Sequence, residues 1–202
     1  MRSFVLGLMG CLSVAASLGA QESERRFAGV TSYLLSLPSG DTRDLTTTPS
    51  WLGISWEGVW AVGPRTSAGV AFSIHDFNHG FSGTANYPWG AVTGAQTKNL
   101  TVTTAMATGR WYPPADRTRR LHLGLGAGVA YSEETYQLGV SQANRSATHF
   151  AVAPEAGWQF PIVNGVDGML GARYTIPATG GHYLGGARSH PFATVSFGVL
   201  ER

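Results

Sequence analysis

Ser73 and His75 are the residues of this 202-residue chain whose types and spacing come nearest to catalysis. A serine becomes a nucleophile when a neighbouring imidazole takes its proton, and a spacing of two on an extended strand puts both side chains on one face. His75 and His79 stand four apart, a spacing that would pair two metal ligands on a helix but not on a strand running into a loop, so no metal site is expected. Ser189 and His190 are adjacent and point apart if extended. The other candidates are charges. Glu57, Glu155, Arg173 and Arg120 are scattered along the sequence, and they could work together, as a structural ionic core or as a relay for protons or ions, only if the fold collects them.

The elements that must do so are legible from alternation. In Arg120–Glu134, RLHLGLGAGVAYSEE, one face carries Leu121, Leu123, Leu125, Ala127, Val129 and Tyr131; the other carries Arg120, His122, Gly124, Gly126, Gly128, Ala130 and Ser132. Period-two patterning of this length means a β-strand. The same alternation recurs in eight segments, near Arg26–Leu37, Trp51–Val62, Ala68–Phe77, Leu100–Trp111, Arg120–Glu133, His149–Phe160, Gly168–Ile176 and Phe192–Leu200. Each approaches the roughly 9 to 11 residues with which a tilted strand crosses a bilayer. The connections alternate too. Pro38–Ser50, Asn78–Asn99, Glu134–Thr148 and Pro177–Pro191 are long, whereas Gly63–Ser67, Tyr112–Arg119 and Pro161–Asp167 are short. Long loops at one end and short turns at the other describe an all-β, eight-stranded antiparallel up-and-down transmembrane β-barrel; a Greek-key sandwich has no reason to alternate in this way.

Composition agrees. Only 13% of residues are charged, Lys98 is the sole lysine and 27 residues are glycine, where a water-soluble domain carries about 25% charge. Arg2, the apolar run Phe4–Ala15 and the small residues Leu18-Gly19-Ala20 ahead of Gln21-Glu22-Ser23-Glu24 read as a secretory signal peptide over residues 1–20, with the barrel domain at 21–202. Cys11, the single cysteine, sits in Leu8-Met9-Gly10-Cys11, which weakly matches a lipoprotein cleavage box. Its removal with the signal peptide leaves no disulfide to form. Without Arg2 the 14 basic residues become 13 against 12 acidic ones, which gives no nucleic-acid footprint. Trp60, Trp111 and Trp158 each precede a proline at the short-turn end, a repeat expected to form one aromatic girdle at the headgroup boundary.

These features together resemble the OmpA/OmpX-type family of small bacterial outer-membrane β-barrels: a signal peptide, about eight alternating strands, glycine-rich strands such as LGLGAGVAY and the alternating C-terminal strand PFATVSFGVLER. The resemblance implies a location in the bacterial outer membrane, contact with its lipid and lipopolysaccharide, recognition by the barrel-insertion machinery, and long loops facing outward, where a surface ligand could bind. Members commonly end on an aromatic residue, whereas this chain ends Leu200-Glu201-Arg202. Turning the apolar faces to lipid sends Gly53, Ser55, Glu57, Ser73, His75, Arg120, His122, His149, Glu155, Gly171, Arg173 and Thr175 inward. An eight-stranded lumen is filled by side chains, so Glu57, Glu155, Arg173 and Arg120 are expected to pair there. The role expected is structural or surface-interactive, without cofactor or chemistry. The alternatives are a narrow porin-like conduit, as in OmpW-like barrels, should Gly124, Gly126 and Gly128 leave a hole, and a lipid A-modifying barrel enzyme, for which Ser73 and His75 point the wrong way. A soluble exported β-sandwich or lipocalin-like binder is a further alternative. The loop aromatics Phe81, Tyr87, Trp89 and Tyr183, with His182, are candidates for carbohydrate or partner contact or for resting on headgroups. The glycosylation patterns at Asn99 and Asn144 are read as chance.

Overall fold

Eight antiparallel strands close into a ring in the computed structural model, which describes residues 27–87, 90–114, 120–139, 141–180 and 187–201. The expected signal peptide, 1–20, and Arg26 lie outside the described residues. In chain order the strands are β1 (Phe27–Pro38), β2 (Leu52–Gly63), β3 (Thr66–Tyr87), β4 (Gly90–Trp111), β5 (Arg120–Leu138), β6 (Ser141–Val163), β7 (Val166–Pro177) and β8 (Phe192–Glu201). A one-turn helix, α1 (Asp41–Leu45), lies between β1 and β2. Each strand pairs with the next, and β8 returns to β1 from Gly29 opposite Glu201 to Pro38 opposite Phe192. Closure leaves the strands of the barrel no free edge, an arrangement that would suit a bilayer, where lipid cannot hydrogen-bond exposed peptide groups.

The alternation read from the sequence sorts the side chains as expected. Leu121, Leu123, Leu125, Val129 and Tyr131 of β5 are exposed on the outer surface, as are Leu52 and Ile54 of β2 and Val70, Phe72 and Ile74 of β3. From Leu121 to Tyr131 the outer face rises ten residues, which at about 3.4 Å each and the usual barrel tilt makes an apolar band roughly 25 Å tall. At the end where the chain enters, β2 and β3 are joined through Pro64-Arg65, and β6 and β7 through Asn164-Gly165. Gly165 has φ +83°, a conformation that the hairpin turn needs and that glycine takes without steric cost.

The second and third long connections differ from expectation. Asn78–Asn99 is a continuation of the β3–β4 ladder up to Tyr87 opposite Gly90, and β5 and β6 stay paired up to Leu138 opposite Ser141. Above the band the apolar period ends while the hydrogen-bonded ladder continues. β2 follows β3 only as far as Asp76, and β7 follows β6 only as far as Ala151. Four strands therefore project as an open sheet beyond the closed barrel. The first connection and residues 187–191 of the fourth fold over the mouth instead. Thr42 Oγ1 and Ser39 N donate to the Pro191 carbonyl at 2.7 and 3.2 Å, Arg188 N donates to Asp41 Oδ2 at 3.0 Å, and Leu45 is buried in the barrel.

Inside, apolar layers bracket a polar middle. Val30, Val59, Met169 and Leu200 fill the short-turn end. Leu45, Phe77, Leu100, Val102, Met106, Tyr136 and Phe192 fill the other.

Candidate functional site

The polar middle is organised by one rung of the sheet. Arg110 of β4 lies opposite Gly124 of β5, Gly124 opposite Glu155 of β6, Glu155 opposite Arg173 of β7, Arg173 opposite Thr194 of β8, and Thr194 opposite Ser36 of β1. Arg110 and Glu155 are thus two strands apart, about 10 Å by backbone, and they meet over the residue between them. A Cβ at Gly124 would stand 2.7 Å from Glu155 Oε1 and 2.8 Å from its Cγ, so this glycine makes room for the ion pair.

Arg110 is bracketed by both carboxylates: Nη2 donates to Glu57 Oε2 at 2.6 Å and Nε to Glu155 Oε1 at 2.6 Å. Arg173 donates to Glu155 Oε2 from Nη2 at 2.5 Å and from Nε at 2.9 Å, and its Nη2 stands 3.9 Å from Glu57 Oε2. Thr108 Oγ1 donates to Glu57 Oε1 at 2.9 Å. The Arg110, Glu57 and Glu155 side chains are 2–6% exposed. Two anions and two cations thus form a charge-balanced cluster inside the barrel, the condition under which buried charges are tolerated.

Of the four charges expected to meet, the barrel joins Glu57, Glu155 and Arg173. Arg120 stands apart: it is the first residue of β5 and is exposed at the barrel's end, beside Gln159. Alternation assigns Arg120 a face, but only the register tells how deep it sits. The residue in its place is Arg110, which the same rule could have found, because Trp111 on the lipid face turns Arg110 inward. Trp60, Trp111 and Trp158 are 43%, 46% and 37% exposed on the outer surface near the short-turn end, with Phe27 packed on Trp60 and Phe160 on Trp158.

Ser73 and His75 do come together, but in an interior network. Ser73 Oγ lies 2.8 Å from His75 Nε2 and 2.7 Å from Thr104 Oγ1, and Ser36 Oγ lies 2.7 Å from His75 Nδ1. With both imidazole nitrogens engaged and the Phe192 ring 4.5 Å away, the histidine is walled in.

The glycines of β5 leave no bore. Glu155 occupies the space at Gly124, Met106 Sδ lies 3.2 Å from where a Gly126 Cβ would be, and a Cβ at Gly128 would strike the Ala105 backbone. The cluster and the Ser73–His75 pair border a cavity of about 40 Å³, with His122 and Ser196 also on its wall. That is room for a few waters.

On the projecting sheet, Lys98 lies over the rings of Phe81 and Tyr136, with 5.6 and 5.1 Å to their centroids. Burial pushes its ammonium below the usual lysine range, with Glu134 pulling the other way. Where the sheet leaves the barrel, His190 Nε2 is 3.4 Å from Glu134 Oε1, both fully buried. Phe81 is thus on a strand rather than a loop. The side chains of Tyr87 and Trp89, together with His182 and Tyr183, lie outside the described residues. Among the described residues no group of acidic, histidine or cysteine side chains could hold a metal.

No family model matches the sequence and no curated protein matches it. Solved structures do. Neisserial surface protein A is similar at 13% identity over 89% of this chain and 99% of its own, with a TM-score of 0.60. A major outer membrane protein from Thermus thermophilus is similar at 9% identity, over 89% and 100%, with a TM-score of 0.57. Ail, the attachment invasion locus protein of Yersinia pestis, is similar at 13% identity, over 88% and 99%, with a TM-score of 0.54. The fold is that of the small outer-membrane β-barrels.

Proposed function

We propose, from this shared fold, that the chain is a bacterial outer-membrane protein whose barrel is an anchor and whose projecting strands make contacts at the cell surface, with no chemistry of its own. The observation that carries the reading is the contrast between a filled interior and a sheet that outruns it. The outer edge of β3 beyond Asp76 and that of β6 before Ala151 have no neighbouring strand among the described residues, and such edges offer hydrogen-bonding groups to a partner. The residues Ser141–Ser146 at the tip are exposed and carry one charge, Arg145. The three tryptophans serve as the girdle at the periplasmic boundary, and the Glu57, Arg110, Glu155 and Arg173 cluster ties the strands together across the lumen.

The ionic and apolar layers speak against a conduit, and the enclosure of Ser73 and His75 speaks against lipid chemistry. Two measurements test the reading. Replacing 79–97 and 135–143 by short turns should leave a barrel with heat-modifiable migration on a gel, while bacteria displaying it adhere to host-cell or matrix surfaces several-fold less than bacteria displaying the intact chain. Equal adherence would overturn the contact role. The intact protein should give no single-channel steps in a planar bilayer; regular steps would refute the filled interior.

A further inference from the structure

The outer wall of the barrel is not uniformly bulky. Ala156 of β6 lies opposite Ala172 of β7, whereas the next outward rung pairs Trp158 with Leu170, and on β5 Leu123 stands opposite Ala156 and Leu121 opposite Trp158. Methyl-sized residues between tall neighbours leave a depression. It measures about 420 Å³, floored by Ala156 and Ala172 and rimmed by Leu121, Leu123, Trp158 and Leu170.

The wall here is only a strand thick. Gly157 and Gly171 face inward beneath it, and Ala156, Gly171, Ala172 and His122 border both the outer depression and the inner cavity beside the ion cluster. His122 itself is buried, its ring against Gly157, so no charged group emerges on the outer side. Depth narrows the occupant further. Trp158 at the lower rim belongs to the tryptophan level near the short turns, where indole rings mark the headgroup boundary. The depression therefore opens just inside that boundary, where the surrounding medium is hydrocarbon. Its floor is two strands wide, on the order of 10 Å from β5 to β7, a slot for a slender apolar chain.

We propose that this groove seats one acyl chain of a periplasmic-leaflet phospholipid, held more firmly than the lipid around the rest of the barrel. The proposal rests on the bilayer placement above. It is tested by native mass spectrometry of the whole barrel, extracted in mild detergent from vesicles of phosphatidylethanolamine and phosphatidylglycerol. Ala172→Phe fills the floor, and Ala156→Leu does so with a smaller side chain should the first variant fail to fold. Ala105→Phe, on the outer face of β4 and away from the groove, is the control. The unchanged protein and Ala105→Phe should retain a single-phospholipid adduct, reduced at least tenfold in the groove variants, with all proteins heat-modifiable. Equal adducts in folded groove variants and control would overturn the proposal, as would a dimer-to-monomer change in the groove variants, which would make a second barrel the occupant. Failure of the unchanged protein to enter the vesicles at all would instead refute the bilayer placement.

Discussion

Arg110→Met removes the cation that both interior carboxylates share while keeping an apolar stem of similar length. Arg110 stands at 2.6 Å from each of Glu57 and Glu155 and its side chain is 2% exposed. After the change Glu155 keeps Arg173 at 2.5 Å, but Glu57 keeps only Thr108 and a guanidinium at 3.9 Å. The cluster passes from neutral to a net charge of −1 inside the barrel. Two contacts, each worth about 4 kcal/mol at an effective dielectric constant near 20, are lost, and the desolvation cost of the guanidinium, several kcal/mol, is relieved. The difference should be about 3–5 kcal/mol of lost stability, as expected when one partner of a buried pair is removed, or roughly two to nearly four powers of ten in the folding constant. The assay is reversible urea unfolding of the barrel in phospholipid vesicles, followed by tryptophan emission. Arg120→Met is the internal comparison; that arginine is exposed and apart from the cluster, so its loss should stay within about 0.5 kcal/mol. Arg110→Met combined with Glu57→Gln restores neutrality and should cost less than the sum of the single changes. If Arg110→Met cost under about 1 kcal/mol, or no more than Arg120→Met, the cluster would not be what ties the strands.

Two further outcomes follow from the same interior. Gly124→Val places side-chain atoms where Glu155 Cγ and Oε1 lie, and in a filled lumen it should destabilise the barrel by about 1–3 kcal/mol or more, seen as a lower urea midpoint with unchanged slope; an unshifted midpoint would mean that Glu155 has another place to go. Ser73→Ala leaves His75 Nε2 and Thr104 Oγ1 without their shared hydroxyl, at a cost of about 1–3 kcal/mol, while adherence of the displayed protein stays as it was. A loss of adherence with stability intact would give this network a role beyond packing.

The barrel was legible in the sequence because a closed sheet with an apolar outer wall and a filled interior imposes a period of two on every strand. RLHLGLGAGVAYSEE states which face is the apolar outer wall, and the alternating connection lengths separate the short-turn end from the other. Where that pattern ceases, so does the signal: the Asn78–Asn99 and Glu134–Thr148 segments look like loops in sequence, yet their described residues are strands, the first half of each segment paired with its own second half. The same limit applies within the lumen. Alternation by itself determined that Glu57, Glu155 and Arg173 point inward, because the positions between them form the apolar outer face. It could not determine depth. Which arginine reaches the carboxylates is a matter of stagger between strands, and the register that sets Arg110, Gly124, Glu155 and Arg173 on one rung exists only once the sheet has closed. The glycines show it most plainly: from sequence they were as good for a hole as for a seat, and the tertiary structure decided for the seat by laying Glu155 across Gly124 and Met106 against Gly126.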